Sequence, residues 1–249
     1  MAAKYSDSLQ QKRVVVTGGA SGIGLATAIR FAEEGSNVTI LDNNQAQLLR
    51  TLEEYPIIQH GLLVDVSQPN EVSHAFDEID SLMNGIDILI ANAGVSERTS
   101  FVDITPEQWR KVMGINLDGI FFTAQAAAKR MLSQGEGVIL MTASTNGLAG
   151  HPYYADYNAS KAGVNLLART MALELAPTVR VNTVCPGYVL TPMQLAEYTT
   201  EMLKKVDKTI PLQRHAQPEE VANLYAFLAS KEAAYITGQN FPIDGGELA

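Results

Sequence analysis

Short apolar runs, each followed by a longer stretch with helical periodicity, recur along the chain. Arg13–Thr17, Val38–Leu41, Leu62–Val64, Ile86–Ala91, Val138–Thr142 and Val179–Cys185 are nearly continuous in apolar residues rather than alternating. Alternation marks a strand with one wet face, whereas a continuous run suits a strand covered on both faces, as in a parallel sheet between helix layers. Ile23–Glu34 is amphipathic and stops at Gly35, and Pro69–Met83 follows Ser67. A helix opening near Pro106 has Thr105 as its N-cap and proline in its first turn. Another runs from about Tyr154 to Leu175, ahead of Pro177. Strand–helix alternation over this length predicts an α/β fold, a Rossmann-type doubly wound parallel sheet with helices on both faces. No repeat, low-complexity tract or linker divides the chain, so residues 1–249 read as one domain. Leu190–Lys208 is less regular and reads as an insertion over the ligand crevice, a substrate lid spanning about residues 190–210.

Composition narrows the function. Hydrophobic side chains make up 46% and charged ones 18%, which excludes disorder as a global description. Lys plus Arg number 18 against 27 Asp plus Glu, a net charge of -9 without a basic stripe. Neither nucleic acid nor an anionic membrane is an expected partner for such a chain. Met1–Arg13 is polar and unlike a secretory signal, and the greasiest window, Ile86–Val95, is broken by Asp87 and Asn92. The lone Cys185 cannot form an intrachain disulfide and reads as a small core residue. The expectation is a cytoplasmic protein acting on a small molecule, with no metal site.

The first strand runs directly into Thr17-Gly18-Gly19-Ala20-Ser21-Gly22-Ile23-Gly24 and then a helix. Glycines there permit a tight turn and let backbone N–H groups reach a pyrophosphate at the positive end of the helix dipole. The strand–turn–helix context is what separates this cluster from an ordinary glycine turn. Asp42 closes the second strand, eighteen residues after Gly24. A carboxylate there either binds both ribose hydroxyls of an adenosine and repels a 2′-phosphate, or caps a turn. Asn43 and Asn44 supply no cation for such a phosphate, so NAD is the expected cofactor rather than NADP. Asp65 and Val66 hold the adenine edge or cap the next helix, and Asn92-Ala93-Gly94 shapes a turn beside the cofactor.

Tyr157 and Lys161 lie four residues apart, on one face of a helix. A free tyrosine titrates near 10, and a neighbouring ammonium favours its phenolate, which suits proton exchange with an alcohol or carbonyl oxygen. Ser144 closes the fifth strand, thirteen residues before Tyr157, where its hydroxyl either orients a substrate oxygen or makes a turn; Ser160 competes for that polar role. Asn116 is a polar amide in an otherwise apolar helical stretch and needs partners.

With these residues in this order, the chain resembles the short-chain dehydrogenase/reductase family, in its single-domain branch of about 250 residues. The resemblance rests on Thr17-Gly18-x-x-x-Gly22-x-Gly24, Asn92-Ala93-Gly94, Asn116, Ser144, Tyr157-x-x-x-Lys161, Pro186-Gly187 and Thr191. It implies a tetrad in which Tyr157 is the acid/base, Ser144 positions the reacting oxygen and Lys161 binds the nicotinamide ribose while lowering the tyrosine pKa. Asn116 would hold a relay water, and hydride would pass directly between substrate carbon and nicotinamide. Gly18, Ser21, Gly22, Ile23 and Gly24 would meet the pyrophosphate, and Pro186, Gly187, Val189 and Thr191 the nicotinamide. The family's habit implies a homotetramer built through two long helices and the C-terminal region.

Ser96, Asn146, His151, Tyr154, Tyr188 and Met193 flank these motifs as candidate pocket residues. Their amide, imidazole and phenol groups suggest a small polar secondary alcohol: a polyol, sugar, hydroxy acid or cyclic diol. Competing readings are an NADP-linked ketone or 3-oxoacyl reductase, a cofactor-binding regulator without turnover, and an epimerase or dehydratase of the longer family branch. The retained Tyr157 and Lys161 speak against the second, the glycine spacing and chain length against the third.

Overall fold

A computed structural model describes residues 5–249; the first four residues of the polar Met1–Arg13 segment, and of the single domain, lie outside the described residues. Its elements in chain order are α1 (Ser6–Leu9), β1 (Arg13–Thr17), α2 (Gly22–Glu33), β2 (Asn37–Asp42), α3 (Gln45–Glu54), β3 (His60–Leu63) and α4 (Pro69–Met83). There follow β4 (Ile88–Ala91), α5 (Pro106–Met113), a π-helical turn (Gly114–Asp118), α6 (Gly119–Gln134), β5 (Gly137–Thr142) and α7 (Ala155–Leu175). The chain ends with β6 (Val179–Pro186), α8 (Pro192–Glu197), α9 (Thr200–Asp207), α10 (Pro218–Ala229) and β7 (Asn240–Ile243).

Among the described residues the strands form one sheet in the order β3-β2-β1-β4-β5-β6-β7, parallel throughout. The order reverses between β1 and β4, and ligands of such sheets bind beyond the strand ends at that switch point. Strand side chains alternate between two cores. Val15, Leu89, Ile139 and Val181 face α4, α6 and α7, represented by Phe76, Ala124 and Val164. Val14, Val16, Ile90 and Leu140 face α2, α3 and α10, represented by Phe31, Leu48 and Tyr225. Two apolar layers explain why the strand segments read as unbroken hydrophobic runs.

The structure corrects the sequence reading in several places. Leu190–Lys208 is not irregular: it folds as α8 and α9, each begun by a threonine whose hydroxyl accepts from a first-turn N–H (Thr191 from Gln194, Thr199 from Met202). Asn116 lies in a π turn rather than an ordinary α-helix. Strand β7, unpredicted, is short and contains Pro242, which an edge strand tolerates because its outer side needs no N–H. Helices α3 and α10 were also missed. For α10 the signal was present: Gln217 and Glu220 form a reciprocal capping box around Pro218.

The packing around α4 gives a stability prediction. Phe76 is fully buried in the layer beneath the sheet, and Phe76→Ala should lower unfolding free energy by about 3–5 kcal/mol. Urea denaturation checks this; a loss below about 1 kcal/mol would mean that the layer collapses around the gap.

Candidate active site

The loop after β1 is held by side chains from the neighbouring strand. Thr17 Oγ1 accepts the N–H groups of Asn92 and Ala93, both at 2.9 Å. Asn92 Nδ2 donates to the carbonyls of Thr17 (3.0 Å) and Gly18 (3.3 Å), so the amide is fixed by acceptors on one side. Gly18 and Gly22 have φ of +61° and +52°, a region that favours glycine. Gly24 is buried, and a Cβ there would stand 2.0 Å from the Gly18 carbonyl oxygen. Its role is thus to let helix and loop close up rather than to line the cleft.

Ser21, the N-cap of α2, makes no side-chain hydrogen bond to the helix, which leaves first-turn N–H groups without that partner. Beside this helix start, Gly18, Ser21, Gly22, Ile23, Asn92, Ala93 and Gly94 line a cavity that reaches Tyr157, Lys161 and Thr191. A second cavity shares Gly18, Ser21, Ala93 and Gly94 and extends past Asp42, Asn43, Asn44, Asp65 and Val66. Positive-φ glycines, an uncapped helix N-terminus and two adjoining cavities fit an extended dinucleotide.

The carboxylates at the adenosine end already have protein partners. Asp42 accepts from Ala20 N–H on Oδ2 (3.1 Å) and from Asn44 N–H on Oδ1 (3.0 Å), while Asn44 caps α3. Asp65 Oδ1 accepts from the Ser67 N–H and hydroxyl, a turn-forming role, while its residue also lines the cavity. Among the described residues no Lys or Arg lines that cavity.

At the other end, Tyr157 and Lys161 project from α7. The Lys161 ammonium is buried and donates to the Thr142 carbonyl at 2.8 Å. It stands 5.6 Å from the centre of the Tyr157 ring. Burial brings its pKa down from the usual lysine value to about 8. Burial pushes the Tyr157 phenol up to about 12, against the opposing hydrogen bond from Ser144 and with added repulsion from Glu197. In the protein alone the phenol is thus raised rather than lowered, because desolvation outweighs the Ser144 hydrogen bond, and it is protonated at neutral pH.

Ser144 lies beyond β5 facing Tyr157, its hydroxyl accepting from the Asn146 N–H at 3.1 Å. Ser160 does not compete for that role, because its hydroxyl donates to the Tyr157 carbonyl (2.8 Å) and accepts from Asn116. Asn116 is fully buried behind Lys161. Its Oδ1 accepts from Val95 N–H (2.8 Å), and its Nδ2 donates to the Val95 carbonyl (2.9 Å) and to Ser160 (3.2 Å). Both amide hydrogens are committed to protein, so any relay water is left one lone pair of Oδ1 or the backbone of the π turn.

A third cavity, about 110 Å³, opens beside Tyr157. The candidate pocket residues Ser96, Ser144, Asn146, His151, Tyr154, Tyr188 and Met193 line it, together with Pro186, Gly187, Val189 and Thr191, which the resemblance had assigned to the nicotinamide. Thr191 also approaches Gly22 across the cleft, where a Cβ on the glycine would meet it at 3.4 Å. His151 is not an exposed loop residue: it is largely covered, and burial lowers its pKa. Tyr154 meets Tyr157 edge-on at 6.3 Å between centroids, and its hydroxyl donates to Glu197 at 2.8 Å. Gln194, Glu197 and Tyr198 complete the cavity and were missed, because their segment had been read as irregular. Thr142 was missed as well, since its contribution to Lys161 is a backbone carbonyl that side-chain motifs do not reveal.

A family profile described as enoyl-(acyl carrier protein) reductase matches residues 18–247. A glucose 1-dehydrogenase of Gluconobacter oxydans (strain 621H) is 35% identical over 253 residues, covering 99% of this chain and 95% of that protein. The crystal structure of a short-chain type dehydrogenase/reductase from Mycobacterium marinum aligns with a TM-score of 0.92 at 34% identity, over 99% of this chain and 100% of that one. That of 3-ketoacyl-(acyl-carrier-protein) reductase from Brucella melitensis complexed with NADH aligns at 0.90 and 32%, over 97% and 100%. With fold, motifs and full-length similarity in agreement, the chain belongs to the short-chain dehydrogenase/reductase family, nicotinamide-dependent oxidoreductases of alcohols and carbonyls.

Proposed function

We propose that this protein is an NAD-dependent dehydrogenase/reductase that interconverts a small polar secondary alcohol and its ketone. The observation that carries the cofactor choice is the Asp42 carboxylate at the end of β2, in a cavity wall without lysine or arginine among the described residues. A 2′-phosphate would meet that charge with nothing to offset it. The two backbone N–H groups on Asp42 orient its oxygens and leave further lone pairs for ribose hydroxyls.

Bound nicotinamide supplies the hydride acceptor or donor. The chain's own groups handle the proton and the geometry. Tyr157, protonated at rest, donates to the carbonyl oxygen in reduction and takes the proton back in oxidation. Ser144 would orient that oxygen, and Lys161, near the Tyr157 ring in the same cavity, would supply positive charge and hold the nicotinamide ribose. Asn116 holds the segment at Val95 and Gly94 against Lys161, which supports a relay from the lysine by water. In this reading Pro186, Gly187, Val189 and Thr191, which line the cavity beside Tyr157, meet the carboxamide end, and α8 and α9 act as a lid.

The protein is further proposed to work as a cytoplasmic homotetramer. No helix among the described residues is long and apolar enough to cross a membrane. The two longest helices carry uncovered apolar side chains, Phe121 and Leu132 on α6 and Leu166 and Leu173 on α7, as a helix-paired assembly requires.

Tyr157→Phe should retain NADH binding, followed by nucleotide fluorescence, while turnover falls by about 100-fold or more. Substantial residual turnover would remove Tyr157 as the acid. Asp42→Ala combined with Asn43→Arg should shift the NAD-to-NADP preference in kcat/KM by about tenfold or more toward NADP. An unchanged ratio would show that Asp42 does not face the ribose. For carbonyl reduction, kcat/KM should hold steady below pH 8 and decline above it, as Lys161 loses its proton near its lowered value of about 8. Tyr157 stays protonated across that range, so a profile flat to pH 10 would contradict the role given to Lys161.

A further inference from the structure

The cavity beside Tyr157 contains polar atoms that the protein itself leaves unpaired. Glu197 and Gln194 enter it from α8, and His151 from the loop before α7. Glu197 Oε2 accepts the Tyr154 hydroxyl at 2.8 Å, but Glu197 Oε1 is closed off from solvent without a hydrogen-bond partner. Gln194 Nε2 and His151 Nε2 are in the same condition. Buried polar atoms are nearly always paired, and three orphans around one ligand-sized space indicate that a ligand supplies the missing partners.

Their chemistry selects the ligand. A carboxylate oxygen only accepts, and an amide nitrogen only donates. A hydroxyl does both, so alcohol groups can satisfy either atom. A hydrocarbon would leave both atoms unpaired. An ammonium would satisfy the carboxylate and leave the amide without an acceptor. An anionic substrate would meet Glu197 and also Glu247, whose carboxyl oxygen lies 3.7 Å from His151 Nε2. The Tyr154 phenol, 3.2 Å from the Tyr198 hydroxyl, fixes Glu197 in place so that its free oxygen keeps one direction.

We propose that Glu197 and Gln194 on α8 are specificity-determining residues that select a neutral polyol or sugar over hydroxy acids and acyl thioesters. The inference rests on the NAD-linked secondary-alcohol reading and narrows its substrate class.

The test uses the full chain with NAD and a panel of C4–C6 alditols, set against 2-butanol, 3-hydroxybutyrate and 1-amino-2-propanol. Some alditol should exceed all three comparison alcohols in kcat/KM by about tenfold or more. Glu197→Gln and Gln194→Leu should each reduce the alditol-to-2-butanol ratio by a similar factor, chiefly through KM. A best substrate that is the hydroxy acid or the amino alcohol overturns the proposal, as does a ratio that neither substitution moves. Binding without turnover is read in Tyr157→Phe, by whether alditols perturb the fluorescence of bound NADH. NADH bound but indifferent to every alditol overturns the inference alone; failure of NADH to bind overturns the cofactor reading beneath it.

Discussion

The side chain and carbonyl of Thr142, at the end of β5, join the parts of the site. Its carbonyl holds the Lys161 ammonium, and its hydroxyl donates to Asn92 Oδ1 at 3.0 Å. Asn92 in turn grips the carbonyls of Thr17 and Gly18 in the glycine loop. Because Asn92 Nδ2 must face those carbonyls, its oxygen must face Thr142, and Thr142 must donate. The remaining partner, the Tyr225 hydroxyl from α10 at 2.7 Å, is then the donor to Thr142. One residue thus fixes the loop that approaches a pyrophosphate, the lysine beside the acid and the helix layer behind the sheet. The bonds from Thr142 to Lys161 and Tyr225 are buried, where misplacing one partner strands another.

Burial sets the charge state around this hub. An ammonium in the interior is disfavoured, which explains the lowered lysine, and so is a phenolate, which explains the raised tyrosine. The protein by itself is therefore poised as an acid. Alcohol oxidation needs further positive charge beside Tyr157, which oxidised nicotinamide brings and the reduced form does not.

The backbone is adjusted where the site needs proximity. At Gly24 the helix would collide with its own loop if a Cβ were present. At Gly114–Asp118 the π turn carries Asn116 inward, so that its amide pairs with both backbone groups of Val95. A π turn widens the helix by one residue and is often found where a side chain must be displaced. Helix α8 lines the other side of the cavity beside Tyr157 and α9 follows it, with the threonine caps setting where each begins.

Local order along the chain determined the larger share of what this protein is. The apolar runs and glycine punctuation specified six strands of the sheet, five of them largely buried and β3 half-covered at the edge. The spacings around Gly18, Ser144, Tyr157 and Lys161 placed a nucleotide loop and a proton-transfer pair at the same sheet edge. Strand β7 carried too short a signal, and α3 too weak an apolar face, to be read that way. Only the tertiary structure decided which polar groups are paired within the protein: Asn92 and Asn116 are engaged by backbone groups and by Thr142 and Ser160, while Gln194 and Glu197 each keep an unpaired atom. It also decided the sign of the Tyr157 shift, because spacing fixes the neighbour of a charge whereas desolvation depends on everything packed around it.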